Sequence, residues 1–340
     1  MAKEKIWALY AKMCNNMWSD IQEDKIEFDE DFWRYIVDGA VKAGFNTIML
    51  DVGDAVKFKS HPELAVEGSW EPEKMIAEVR RCRELGIELV PRINFSSAHN
   101  FWMKDWRRMT SSEPYYRFCR DVLKDIYEAF DGPSLIHFGY DEEVPLCCQH
   151  EGLEYSVMRA GKLLTHDFRF LVDEIKKLGA TPWCAHDLLW EHTEDYLRDI
   201  DPKENVIQSP WYYLGLRKEH FTPIPQFNDD GTENEAYKKG IRYREEDPFM
   251  RNATDYWFGG EALKKLELGF KYMPMASNYI SDHNIDDMLW YFKTNAPDEQ
   301  IVGYFIANWN LRGRTVWENK EAYDKHFAAF AAAKKKYYGE

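Results

Sequence analysis

The residues from Leu135 to Glu143, LIHFGYDEE, hold the densest chemistry in the chain: an apolar run that ends in three consecutive carboxylates, Asp141, Glu142 and Glu143. A short apolar run of this kind reads as a buried strand. Alternate side chains of a strand share a face, so His137, Gly139 and Asp141 point one way and Phe138 and Tyr140 the other. Adjacent carboxylates repel, and one of them is expected to hold its proton near neutral pH. A proton donor beside a fixed negative charge is equipment for general acid catalysis. Asp141 faces inward by alternation alone. Glu142 reaches the same space only if the strand stops there and the chain swings over its rim.

The elements that position these groups are legible as periodicity. Strand-like runs occupy 5–13, 46–52, 87–95, 135–141, 181–189, 205–213, 271–279 and 301–309. Amphipathic helices are predicted over 29–43, 72–85, 114–130, 161–178, 192–200, 260–269, 284–296 and 318–336. Gly44, Gly86 and Gly179 close three of them, and Pro72 stands in the first turn of the one that Gly86 closes. Strands alternating with helices of this length imply parallel strands joined by crossovers. Eight such units in one domain, residues 1–340, point to an α/β fold, a single (β/α)8 barrel. No Gly-x-Gly-x-x-Gly follows the first strand, which removes the main reason to prefer an open sheet.

The long connections, 14–28, 53–71, 95–113, 142–160 and 214–259, all follow strands. Elaborated loops therefore gather at the carboxyl end of the barrel, where such folds bind substrate. That placement collects Asn15, Asp51, Asn94, His99, Asp141, Glu142, Glu143, His186, Asp187, Tyr279, Asn308 and Asn310 in one mouth. Trp183, Trp190, Trp211 and Trp309 lie on or just beyond strands 5, 6 and 8. Indole faces stack on the apolar faces of sugar rings, and a carboxylate pair among them is the make-up of a glycosidase pocket. His137 is expected inside the barrel as a support for Asp141.

Composition narrows the partners. The chain has 340 residues, a formal charge of −15 and 13 tryptophans, with aromatics at 16%. That acidity argues against nucleic acid or an anionic membrane as partner and fits a neutral or weakly charged small substrate, and the aromatic excess suggests a carbohydrate. The six cysteines form no Cys-x-x-Cys pair, so zinc or dithiol chemistry is not indicated and all six read as reduced thiols. No leader-like segment or apolar run of membrane-spanning length occurs, so a cytoplasmic location is expected. Residues 214–259 are long enough to form a lid or a subunit contact in a homo-oligomer.

His137-Phe138-Gly139-Tyr140-Asp141-Glu142 resembles the His-x-Gly-x-Asp-Glu motif of the family 20 glycoside hydrolases, the β-N-acetylhexosaminidases. Looser similarities follow at the matching strands: Pro91 to Asn94 with Ala98-His99, Gln208 to Trp211, Ser277 to Tyr279, and Gly303 to Trp309. The resemblance implies retaining, substrate-assisted hydrolysis, in which the 2-acetamido oxygen attacks the anomeric carbon and no cofactor or metal takes part. It makes Glu142 the general acid and base, and Asp141 the group that orients the acetamido N–H. Tyr279 would bond the acetamido oxygen, while Trp211 and Trp309 enclose its methyl group. Trp183, His186, Asp187, His99, Asn94, Glu143 and Asn310 complete the expected substrate shell. Ionised Asp141 and Glu143 would help keep Glu142 protonated. The chain departs from the family pattern where an arginine ends strand 1 (here Ala11 to Asn15). It departs also in strand 3, which carries Arg92 and Asn94, and at Asn310. Two other classes fit the same residues: a metal-dependent sugar isomerase or lyase using Asp51, His99, Asp141, Glu143, His186 and Asp187, and a non-catalytic carbohydrate-binding barrel.

Overall fold

The structure is a computed structural model; it describes residues 4–14, 16–17, 23–26, 28–143, 157–191, 193–201, 204–228, 230–246, 268–309 and 318–339. Asn15, Asn310, Cys147 and Cys148 lie outside these residues, as does most of the helix expected near 260–269. The strands are β1 (Ile6–Lys12), β2 (Thr47–Asp51), β3 (Glu88–Arg92), β4 (Leu135–His137), β5 (Thr181–Ala185), β6 (Ile207–Ser209), β7 (Lys271–Tyr272), β8 (Met275–Ala276) and β9 (Gly303–Ile306). All pair in parallel, in the order β7-β6-β5-β4-β3-β2-β1-β9-β8.

The two ends of that order are one stretch of chain. Residues 271–279 were expected as a single strand, and Pro274 divides it, because proline brings no N–H to the ladder. Met273 and Met275 donate to Gln208 and Pro210 on one flank, each at 2.9 Å. On the other, Pro274 and Ala276 accept from Phe305 and Ala307, also at 2.9 Å. The stretch thus joins β6 to β9 and closes an eightfold barrel.

Helices cover the outside for ordinary local reasons. Helix Glu30–Ala43 starts at Asp29, whose carboxylate accepts from Phe32 N, and stops at Gly44 in a left-handed conformation (φ 88). Its apolar stripe of Phe32, Trp33, Ile36, Val37 and Ala40 is buried against the sheet. Helix Lys320–Tyr338 completes the ring, with Phe330 stacked on Phe45 at 3.8 Å between centroids. Burying a phenylalanine of this kind contributes about 1.5–3 kcal/mol.

Two cores result. Sheet and helices enclose one; the other fills the barrel with Ala8, Tyr10, Met49, Val90, Leu135, Trp183, Ile207, Met273 and Phe305. Above those layers the register sets Lys12, Asp51, Arg92 and His137 side by side on β1 to β4. All four are buried, so the barrel changes from hydrocarbon to charge within one turn of its side-chain pattern. Among the described residues, no helix is long and apolar enough to cross a membrane. Cys14, Cys82, Cys119 and Cys184 are buried free thiols.

Candidate active site

Strand β4 is shorter than its apolar run, ending at His137. Gly139, Tyr140 and Glu142 then adopt positive φ (74, 72 and 58), a conformation that non-glycine residues adopt at a cost. Asn94, beyond β3, holds the turn. Its side-chain oxygen accepts from Tyr140 N and Ser96 N, and its amide donates to Asp141 at 2.6 Å. The fit leaves no room for a side chain at 139, where a Cβ would stand 1.9 Å from Asn94 Oδ1. Phe138 and Tyr140 still pack among the outer core, while His137, Asp141 and Glu142 line one cavity of about 160 Å³ at the barrel mouth. Among the described residues, Arg92, His99, Met17, Ala185, Trp211, Tyr213, Met275, Tyr279, Phe305 and Trp309 also line it.

Asp141 is locked. Arg92 reaches it at 3.4 Å and His99 Nε2 at 3.3 Å, besides the Asn94 bond. Burial alone would raise its pKa, but the charges of His99 and Arg92 and the hydrogen bonds from His99 and Asn94 hold it well below the usual carboxylate range. Arg92 is itself anchored from beneath by Asp51, which also accepts from Tyr10 at 3.0 Å. His99 bridges the acids, with Nε2 2.9 Å from Glu142 Oε2. Burial opposes its charge, yet Asp141 and the bonds to both carboxylates push its pKa up to about 10. Glu142 keeps 40% of its side chain exposed and faces the cavity, whereas Asp141 keeps 19%.

The third acid takes another path. Glu143 turns to the back of the loop and is bound by Arg159 at 2.9 Å, by Ser97 N and by Ser97 Oγ. Arg159 also donates to the Phe95 carbonyl, which ties the segment leading to His99 to the acidic turn. Burial raises the Glu143 pKa, but Arg159 and Ser97 outweigh it and leave the group ionised. Glu143 therefore lies outside the cavity lining, its charge taken up by Arg159 rather than directed at Glu142. Behind the acidic turn, the Asp187 carboxyl is pushed upward, first by burial and then by the charge of Asp141.

Other expected shell residues are placed differently from the sequence reading. Asp187 is buried beside the cavity; it accepts from Glu142 N at 3.1 Å and from Trp211 Nε1 at 2.9 Å, and so holds the acid's backbone and an indole together. His186 is buried against Tyr272, 5.9 Å between centroids. Trp183 lies in the barrel interior with Nε1 on Ser209 Oγ at 2.6 Å, beneath the cavity and edge-on to His137. Alternation sets the face of a side chain but not its height along the barrel, which is why Trp183 was expected in the wall. Burial and then Arg92 depress the His137 pKa, so a neutral ring floors the site. Its Nδ1 accepts from Gly139 N at 3.1 Å.

The walls that do form are aromatic. Trp211 and Tyr213 stack at 5.4 Å with 19° between planes, and Trp309 Nε1 donates to the Tyr213 hydroxyl at 2.8 Å. Tyr10 supports Trp309 from inside at 4.8 Å. Tyr213 was not singled out from sequence, although its position two residues beyond Trp211 marks it as a neighbour on an extended stretch. Arg159, sixteen residues past Glu143, carried no local signal. For a cation, His99, Asp141 and Glu142 offer ligand atoms within 4.8 Å of one another, but the Arg92 guanidinium already supplies positive charge to Asp141.

No protein-family model matches the chain, and no curated protein matches its sequence. Solved structures do match. A β-N-acetylhexosaminidase from Bacteroides fragilis aligns over 97% of this chain and 65% of its own, with a TM-score of 0.62 and 12% identity. The fold is a barrel like those of the family 20 glycoside hydrolases. The family 20 exo-β-N-acetylglucosaminidase of Vibrio harveyi, solved with N-acetylglucosamine, aligns over 96% of this chain and 54% of its own (TM-score 0.58, 13% identity). The family 20 β-N-acetylhexosaminidase of Streptomyces coelicolor gives 0.57 at 13% identity, covering 98% and 70%. This barrel thus spans about two thirds of the first neighbour and about half of the second. At such identity the likeness is one of backbone, and the chemistry rests on this chain's own residues.

Proposed function

We propose that the chain is a glycosidase domain of the retaining, family 20 type, acting on a 2-acetamido sugar or a close relative. The observation that carries this reading is the turn at 139–142, which aims two consecutive acids into one cavity walled by Trp211, Tyr213 and Trp309. The acids differ as the chemistry requires. Asp141 is clamped and ionised, suited to oppose positive charge that develops at the sugar. Glu142 is the more exposed and faces the cavity, suited to proton exchange with a bound glycoside.

In the proposed reaction the bond from the anomeric carbon to the leaving oxygen breaks as the Glu142 proton passes to that oxygen. The substrate's acetamido oxygen forms a bond to the same carbon, and Asp141 accepts from the acetamido N–H and faces the charge that spreads over that group. Water then adds at the anomeric carbon as the bond from that carbon to the acetamido oxygen breaks and restores the acetamide, and the adding water gives its proton to Glu142. His99, hydrogen-bonded to both acids, keeps their spacing. Trp211 and Trp309 supply stacking surface for the sugar. The test is a panel of aryl N-acetyl-β-glucosaminide, aryl N-acetyl-β-galactosaminide and aryl β-glucoside. Turnover of at least one, abolished in Glu142→Gln with binding retained, supports the proposal. Full activity in that variant removes Glu142 from the acid role.

A further inference from the structure

The side chains around Asp141 hold it in two different ways. Asn94 donates to Oδ1 at 2.6 Å and His99 Nε2 lies 3.3 Å from Oδ2, so each oxygen has one directed partner. Arg92 stands across both oxygens at once, 3.5 Å from Oδ1 and 3.4 Å from Oδ2. A guanidinium that closes on a carboxylate does so through two parallel bonds of about 2.7–2.9 Å. Arg92 therefore gives Asp141 a counter-charge across a gap. A carboxylate has about four lone-pair sites, and this arrangement leaves some of them for another donor. The gap has a cause in the layer beneath. Asp51 takes Arg92 Nη1 from below and is itself fixed by the Tyr10 hydroxyl at 3.0 Å. Lys12, Asp51 and Arg92 stand in register on β1, β2 and β3 and alternate in sign. Asp51 is buried and, unlike Arg92, is not part of the described cavity lining. Arg92 is thus shared between two carboxylates, one bound closely and one kept at a distance.

We propose that Asp51 is a positioning residue: it restrains Arg92, so that Asp141 stays charged yet keeps an acceptor site open for the substrate N–H. This rests on the glycosidase reading and names a residue outside the cavity that sets how Asp141 meets its ligand. Without the restraint, Arg92 has Asp141 as its remaining close carboxylate and slides upward into a two-pronged grip. The protein then fills the site that the substrate needs. Without Arg92, Asp51 has nothing to act through.

The experiment measures kcat and KM on the three aryl glycosides, across pH, for wild type, Asp51→Asn, Arg92→Met and the double variant. Asparagine keeps the size of Asp51 and removes its charge. Expected is a fall in kcat/KM of roughly 30-fold in Asp51→Asn, most of it in kcat. In the Arg92→Met background the same substitution should change kcat/KM by less than about 3-fold. A merely structural role costs the same in both backgrounds, and that result overturns the proposal.

The pH profiles give a second reading. Asp141 faces Arg92 and His99 from the β3 side, Glu142 on its own turn, and Asp187, Tyr213 and His137 from the other strands. Burial opposes its charge, while His99 and Arg92 favour it. Arg92→Met should therefore move the acid limb of kcat/KM up by roughly 1–3 pH units, and Asp51→Asn should not move it up at all. An unmoved limb in Arg92→Met, an upward shift in Asp51→Asn, or wild-type kinetics in Asp51→Asn overturns the proposal and leaves the glycosidase standing. Should Asp51→Asn fail to fold, the double variant is compared with Arg92→Met: equal kcat/KM supports the proposal and a further loss overturns it. If sugars bind without turnover, the same comparisons are read on Kd of the methyl glycosides. Neither turnover nor binding by wild type overturns both readings.

Discussion

Glu142 and Glu143 are covalent neighbours with opposite surroundings. The first keeps 40% of its side chain exposed to a cavity; the second keeps 5% and is sealed by Arg159 and Ser97. The left-handed φ of Glu142 sends the two carboxylates to opposite sides of one turn. On the cavity side, charges are shared loosely among Arg92, His99, Asp141 and Glu142, with one acid open to a ligand. On the far side, the Glu143 carboxylate is held by Arg159 and Ser97 and turned away from the cavity. Equal chemistry in adjacent positions is therefore left accessible in one case and locked in place in the other. What separates them is backbone conformation and the partner each one meets.

Substitutions can break that contrast from either side. Glu142→Gln should lower kcat about a thousandfold on the best aryl glycoside, with little change in thermal unfolding, since its site is half open to water. Glu143→Ala should do the reverse. It leaves buried Arg159 with Asp167, 3.6 Å away, as its remaining counter-charge and should cost about 3 kcal/mol in urea unfolding, while folded molecules retain Glu142 in the cavity. A variant at 143 that unfolds normally but loses all turnover would contradict the division. Gly139→Ala attacks the turn itself: the positive φ and the clash with Asn94 should cost about 1–3 kcal/mol and displace Asp141, read as lowered stability together with lowered kcat.

The smallest effect is a pH signature of the His99–Asp141 pair. The raised pKa of His99 contributes stability that is complete below its ordinary value of 6.5 and is lost as pH rises through about 10. The lowered pKa of Asp141 contributes stability present above 3.8 and lost as pH falls toward its folded value. The difference in melting temperature between wild type and His99→Gln should be widest between those two ordinary values and narrow toward pH 10. A flat difference across that range would show that His99 and Asp141 are not coupled.

Much of this was legible before any coordinates. Apolar periodicity located the strands and helices because burial imposes a period of two on a strand and near four on a helix. The alternation that set His137 and Asp141 on one face survives in the structure, although β4 stops at His137. Residue type marked Trp211 and Trp309 as stacking surfaces, and both line the cavity. Trp183 shows where such reading ends. It has the right face and residue type, but it sits a layer too deep, and only the register of β4, β5 and β6 decides that depth. Asp187 stands behind the cavity, bound to Glu142 N and the Trp211 indole, and His186 is buried against Tyr272. Tyr213 was passed over because its place in the wall comes from Trp309, 96 residues away, whose indole donates to its hydroxyl.

The sequence by itself determined the eightfold alternation, the cluster of acids at the end of the fourth strand and the aromatic content of the mouth, since each follows from local pattern and composition. Tertiary structure alone decided which acid is open, which is clamped and which is sealed. Those outcomes depend on a left-handed turn propped by Asn94 and on cations, Arg92, His99 and Arg159, brought from distant elements. An ionisable side chain has no fixed character in an extended chain; burial and the charges set against it create one.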